Sequence, residues 1–351
     1  MIYRKKKGTK KIQEDLYIVS KRSKLEIEKF FLFYVNKNVR LYFNYFNFLY
    51  KNKDNKSFFM LNQYFKDKNL YEVVPYNFSL PFNIMNIHSL AGRSSALKNV
   101  KMVSVIVTAF NVQEYIEIAI KSLINQTYNN IEVVLIDDKS SDATFEILEK
   151  FKNLYPEKIT LIQLKKNHGT YIAKNIGISY ANGDLITFHD GDDWAHPQRI
   201  EEHVKVHMGN KNIKFSISKL VRLTENGFLH AKEIYPIDRL SMVSLMLDKE
   251  ILNRVGYFRT HRLGSDTEYF ERLKKFTKYK WKRIDKVLMF CAHRKNSLTT
   301  SQESGVKGFS KNNKREHYWN QWHKWHNMLK KIRKQPFIDF NRDKYEHEII
   351  E

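Results

Sequence analysis

A single cysteine, Cys291, stands among 351 residues, which excludes an internal disulfide framework and fits a reducing compartment. No run of eighteen or more apolar residues occurs, so no membrane-spanning helix is expected. The basic start, Arg4 to Lys11, runs into Glu14 and Asp15 instead of an apolar stretch, so no secretory signal is expected either. No Gly-x-Gly-x-x-Gly follows the first strand and no P-loop is present, which argues against a dinucleotide site and against P-loop chemistry. No nucleic-acid fold signature appears.

Acidic residues are scarce at the N-terminus. Residues 1–70 hold 17 Lys/Arg and 6 Asp/Glu, whereas residues 101–300 hold 31 and 24. Much of the net charge of +23 is therefore gathered in an N-terminal extension. Such a region suits an anionic membrane surface, a nucleic acid or a phosphorylated substrate, or it is simply a solvated face. The aromatic stretch Lys29 to Lys51 is long enough to span a bilayer, but Lys37 and Arg40 interrupt it. It reads as a helical hairpin or an amphipathic helix, with its aromatics packed on the rest of the protein or laid on lipid. Residues 88–101 read as a linker.

What is present begins at Val103. Apolar runs at Val103–Ala109, Ile131–Ile136, Ile159–Leu164 and Leu185–Phe188 alternate with helical periodicity over Glu114–Gln126, the segment up to Lys150, and Thr170–Ala181. That alternation predicts an α/β fold with a mainly parallel sheet flanked by helices. Ligands of such sheets sit beyond the carboxyl ends of the strands. The polar clusters fall at those ends: Thr108-Ala-Phe-Asn111, Asp137-Asp138 and Asp190-Gly-Asp-Asp193. In the last, three carboxylates crowd into four residues with no lysine or arginine beside them in sequence. A hard divalent cation, Mg²⁺ or Mn²⁺, would offset that repulsion. A solvated acidic turn or a helix cap is the competing explanation.

Five segments in order resemble glycosyltransferase family 2, inverting enzymes of GT-A fold. They are Val103 to Asn111, Leu135 to Thr144, Asn167 to Gly177, Asp190 to Asp193, and Val255-Gly-Tyr-Phe with Gly264 to Leu273. The resemblance implies a GT-A (Rossmann-like) domain over 99–300, between a basic aromatic helical extension (1–98) and a basic Trp-rich helical tail (301–351). It implies Thr108, Phe110 and Asn111 around the nucleotide. Asp137 and Asp138 would bind the base, with Lys174, Asn175 and Asp190 near the nucleotide, and Asp192 and Asp193 would hold the metal. Asp266 matches the general base, with Glu268 in support. His293-Arg-Lys-Asn-Ser-Leu-Thr299 resembles a segment whose basic or histidine residue reaches the diphosphate, and His293 is the candidate, with Arg294 next to it.

The implied activity is transfer of a sugar from a nucleotide-diphosphate donor, a UDP-sugar, to a hydroxyl of a glycan or lipid-linked glycan. The setting would be capsule or lipopolysaccharide assembly, on the cytoplasmic side and peripheral to the inner membrane. Sugar nucleotidyl transfer and a non-enzymatic basic membrane or nucleic-acid adaptor are the alternatives. The first lacks its basic Gly-rich loop, and the second leaves the acidic cluster unused. In the tail, Trp319, Trp322 and Trp325 recur every three residues, which places them toward one side of a helix, either docked on the protein or laid on a membrane.

Overall fold

The structure is a computed structural model that describes residues 2–35, 38–90, 95, 97, 101–230, 234–294, 313–346 and 349–350. It divides into two compact units. The larger comprises residues 93–219, 240–289 and 294–351, and the smaller comprises 1–92, 220–239 and 290–293.

The larger unit is built on strand β1 (Val103–Ala109). Every residue of β1 is buried, because both of its faces are covered. Val103, Val105 and Val107 enter one core with α1 (Ile116–Ile124), α2 (Thr144–Leu154) and α4 (Arg199–Gly209). Ile106 enters the other core, with α3 (Thr170–Tyr180) and α5 (Ser265–Phe276). The neighbours β2 (Ile131–Asp137) and β4 (Leu185–Asp190) alternate in the same way, with Val133, Leu135 and Leu185 on one face and Val134, Ile136, Ile186 and Phe188 on the other. The side-chain period of two thus sorts one apolar run into two cores.

β1 pairs in parallel with both β2 and β4, and β2 pairs in parallel with β3 (Ile159–Leu164). The chain leaves β1 for β2 and β3 on one side and returns to β4 on the other. The carboxyl end of β1 is therefore a topological switch point. Beyond β4 the sheet becomes mixed through β7 (Met246–Asp248), which runs antiparallel to β4. It continues through β6 (Ile213–Thr224), β8 (Lys280–His293) and the short β5 (Asp193–Ala195). The mixed sheet anticipated from the sequence is formed, parallel over β3-β2-β1-β4 and antiparallel where β7 pairs with β4 and with β6. Helix α3 lies tight on it: a Cβ at Gly177 would stand 2.4 Å from Ile106 Cγ2.

The smaller unit carries helices Ile2–Val19, Lys24–Tyr34, Leu41–Lys51 and Ser57–Asp67, then a two-stranded sheet of Val73–Pro75 with Ile87–Ser89. The aromatic stretch is thus a hairpin. Ser23 and Glu26 form a capping box at the second helix. Arg40 sits at the start of the third, where it pairs with buried Asp238. Lys37 lies outside the described residues. Phe31, Tyr42, Phe43, Tyr45 and Phe46 of this stretch are buried core, while Phe33 and Tyr34 are exposed. The expected linker over 88–101 lies largely outside the described residues, and its first two residues, His88 and Ser89, belong to the second strand.

The tail forms helix α6 (Asn313–Lys331), docked in the larger unit. Its buried stripe is Tyr318, Trp322, His326 and Leu329. The three tryptophans do not share that stripe: Trp319 remains 37% exposed and stacks on His323, while Trp325 packs under the Arg259 guanidinium at 4.9 Å. Among the described residues no helix is long and apolar enough to cross a membrane.

Candidate active site

The strand register assembles the site. Thr108 is the partner of Asp190 across β1–β4, Ala109 of Asp137 across β1–β2, and Asp137 of Gln163 across β2–β3. Three of the expected residues therefore line one sheet edge at the switch point.

The loops after β1 and β2 lock to each other. Asn111 adopts φ 50°, a left-handed conformation asparagine tolerates better than most residues. Its backbone N–H donates to Ser140 Oγ (3.0 Å), and its Oδ1 accepts from Ser141 N (2.8 Å). Gln113 N–H donates to Asp142 Oδ2 at 3.2 Å, and Ala143 N–H donates to Gln113 Oε1 at 2.9 Å. Asp137 is buried and accepts from Ser140 N and Gln163 Nε2. Asp138 is also buried, and its two oxygens accept from the backbone N–H groups of His168 and Gly169, each at 2.7 Å. Burial pushes the Asp138 carboxyl up to about 6, against the pull of those two N–H groups and of Arg262. Asp138 thus ties the loop before α3 to the loop after β2. Phe110 is 45% exposed.

The acidic cluster has cationic partners after all. No basic residue neighbours it in sequence, but Lys174, buried on α3, donates to Asp190 Oδ1 at 2.8 Å. Arg294 Nε donates to Asp192 Oδ2 at 2.8 Å. The turn itself is held from beneath by Arg199, which is fully buried. Its guanidinium donates to Phe188 O (2.6 Å), Thr187 Oγ1 (3.0 Å) and His189 Nδ1 (3.1 Å). Since arginine only donates, His189 must carry its proton on Nε2, which donates to Asp193 O at 3.1 Å. Burial, with Arg199 adding to it, lowers His189 to about 3, so the imidazole stays neutral. His189 is a brace for the turn.

Asp266 is the second residue of α5, after Gly264 turns the chain at φ 77°. Its Oδ1 accepts from Thr267 N at 2.7 Å. The buried Tyr171 hydroxyl lies in the field of Asp266 and, more weakly, of Asp190. Burial, reinforced by the Asp266 charge, raises that phenol well above its usual range.

Some expected residues sit elsewhere. Asn175 is fully buried, and its amide closes a reciprocal pair with the Phe258 backbone, Nδ2 to O and N to Oδ1, both at 2.9 Å. With both polar atoms spent on that clasp, Asn175 belongs to the scaffold joining α3 to the acceptor-side loop. His293 stacks its ring on His230 at 3.8 Å, and it is the next residue, Arg294, that reaches the acidic cluster. Glu268 is fully buried and bound to Arg272 and His326, so its part is structural. Tyr171 and Arg199 were not singled out in the sequence, and Arg294 stood there only as the neighbour of His293. Only Arg294 had a signal, its place in the segment beginning at His293.

Among the described residues no three His, Cys, Asp or Glu side chains gather as a ready metal cage. A Mg²⁺ or Mn²⁺ ion held through one or two carboxylates and completed by substrate phosphates and water needs no such cage. Asp192 and Asp193, oxygen donors at adjacent positions of this turn, fit that mode.

A Bacillus subtilis protein named a putative teichuronic acid biosynthesis glycosyltransferase, TuaG, is 28% identical over 160 residues, 42% of this chain and 63% of its own length. A Haemophilus influenzae protein, described as an uncharacterized glycosyltransferase, is 41% identical over 108 residues, 31% of this chain and 33% of its own length. The chain thus spans less than two thirds of either relative. The crystal structure of GalNAc-T7 with UDP, GalNAc and Mn²⁺ shares the fold, with a TM-score of 0.50, 13% identity, and cover of 60% of this chain and 48% of that one. The family model for Glycosyl transferase family 2 matches residues 104–293, more than half of the sequence and all of the loops described above, and the chain belongs to that family.

Proposed function

We propose that the protein is an inverting, metal-dependent glycosyltransferase. It moves a sugar from a nucleoside-diphosphate donor, a UDP-sugar, to a hydroxyl of a bacterial surface glycan. The observation that carries this reading is the placement of Asp190 and Asp137 at one sheet edge, opposite Thr108 and Ala109 at the switch point. Inverting transfer needs a carboxylate on the acceptor side and charge compensation on the leaving-group side.

Asp266 takes the acceptor hydroxyl proton as that oxygen attacks the anomeric carbon. The bond from that carbon to the diphosphate breaks, and the nucleoside diphosphate leaves with the electron pair. Thr108, Phe110 and Asn111 bound the nucleotide, with Phe110 against the base and Asp137 and Asp138 fixing the loop that faces it. Asp192 and Asp193 hold the metal, which when bound offsets charge developing on the diphosphate. Lys174 keeps Asp190 oriented, and Arg294 stands where phosphate charge arrives. The name of the TuaG relative supports a setting in cell-surface polysaccharide synthesis. Capsule and lipopolysaccharide assembly at the cytoplasmic face of the membrane are the settings we favour.

Two measurements test the reading. Incubation with a panel of UDP-sugars and glycan acceptors should release UDP and give a product whose anomeric configuration, read by NMR, is inverted. A retained configuration would refute it. Asp192→Ala should weaken UDP binding at least tenfold in Mn²⁺, while in EDTA wild type and variant alike should fail to saturate. Wild-type affinity of the variant in Mn²⁺ would deny Asp192 a metal role.

A further inference from the structure

The smaller unit carries a partly open pocket of about 590 Å³. Close-packed interiors leave few voids, and this volume falls within the range of ligand pockets. Its lining is graded. The buried walls are apolar: Leu16, Phe31, Leu229 and Ile237. The exposed lining residues, which form its mouth, include Ser20, Lys24 and Lys51. Lys24 is 4.0 Å from Glu28, an exposed pair whose attraction is weak. Among the lining side chains one shielded polar atom has no hydrogen-bond partner, Asn44 Oδ1. The Asn44 Nδ2 donates to Ile234 O at 2.7 Å.

The two helices that supply much of this lining also turn large apolar side chains to solvent: Tyr17, Ile18, Leu25, Leu32 and Phe33 are each more than half exposed. Residues 1–35 carry ten Lys/Arg against four Asp/Glu. Asn47 and Asn52 also line the pocket, but Asn47 is spent on the Leu229 backbone and Asn52 Nδ2 on Phe48 O. A peptide or a sugar would therefore find few partners against the apolar walls, at a cost per unpaired group. A hydrocarbon chain brings none. Its anionic head would meet the two lysines at the mouth, and a water or hydroxyl entering with the head would reach Asn44.

We propose that this pocket binds the alkyl chain of a single anionic amphiphile, with its head group on Lys24 and Lys51. The apolar surface around the mouth suits delivery from a lipid layer. The proposal goes beyond the transfer reading and is read out by binding alone, so either can fail without the other.

The test is calorimetric titration of the full chain with dodecyl phosphate below its micellar concentration. Inorganic phosphate and dodecyl maltoside serve as arms for head and chain. Dodecyl phosphate should bind one to one, and inorganic phosphate should not saturate. Ile27→Trp, which fills the cavity, should weaken dodecyl phosphate at least tenfold, and Lys24→Glu with Lys51→Glu should weaken it severalfold while sparing dodecyl maltoside. Circular dichroism and the melting temperature report folding, and Val19→Phe replaces Ile27→Trp should the latter fail to fold. Absence of saturable binding to the wild type overturns the proposal. So does unchanged affinity in a folded cavity-filled variant, or a loss seen only with Leu25→Asp and Phe33→Asp, which would mean adsorption to the outer surface.

Discussion

Replacing Asp266 by asparagine should cut glycosyl transfer by about 10²–10⁴-fold, the usual contribution of a positioned base, and leave UDP affinity unchanged. The side chain keeps its shape, so the helix start that carries it is undisturbed. Thr267 N–H can still donate to the amide oxygen that replaces Asp266 Oδ1. What is lost is the ability to accept the acceptor's proton. Because Asp266 lies on α5 and the nucleotide loops follow β1 and β2, the two readouts should separate. A fall in kcat with an unaltered UDP isotherm is the expected pattern. Near-normal turnover would remove Asp266 from the role of base, and a parallel loss of UDP binding would mean that the change had disturbed the fold.

Glu268→Ala should produce the largest loss of stability among the acidic residues of this region, about 3–5 kcal/mol, because it strands a buried charge. Glu268 and Arg272 are both wholly buried, bonded at 3.0 and 3.1 Å. The Arg272 guanidinium also donates to the carbonyls of Val255 and Tyr257, which fixes the chain before the acceptor-side loop. His326 of α6 lies 2.8 Å from Glu268 Oε1. Near it, Tyr318 of the same helix bonds to Ser265 Oγ at 3.1 Å and stacks on His261. One carboxylate therefore ties α5, the loop behind it and the tail helix into one block. Urea titration followed by circular dichroism should show the midpoint of Glu268→Ala well below that of the wild type. Glu268→Gln, which can keep some of the hydrogen bonds, should lie between them. A midpoint within about 0.5 kcal/mol of wild type, the scale of an ordinary surface change, would mean that the block is not held through this residue.

The framework was legible where local rules and global packing agree. The run Val103 to Ala109 announces a strand buried on both faces, and the polar residues after each run mark the carboxyl edge of the sheet. Glu268 shows the opposite case. At the start of a helix, beside Asp266, it reads as an exposed acidic residue suited to the helix dipole, and only the packing of His326, fifty-eight residues later, reveals it as buried. The acidic cluster is similar: Arg294 lies 102 residues from Asp192, and no periodicity links them. In Asn175 a motif residue was recognised but its partner, the Phe258 backbone, could not be. The tail helix failed for a geometric reason. At about 100° per residue, a spacing of three drifts by about 60° each step. Trp319 and Trp325 therefore flank Trp322, whereas positions 318, 322, 326 and 329 stay within one stripe and are the ones buried.

The central claim is that the carboxyl edge at Thr108, Asp137 and Asp190 to Asp193 is a metal-assisted nucleotide-donor site. Calorimetric titration of the full chain with UDP, in Mn²⁺ and then in EDTA, with GDP and CDP alongside, tests it most directly. The account predicts saturable one-to-one binding of UDP that requires Mn²⁺ and exceeds that of GDP and CDP. Failure of every nucleoside diphosphate to bind the folded protein in Mn²⁺ would contradict it, and the acidic cluster would then be no more than a turn braced by Lys174, Arg199 and Arg294.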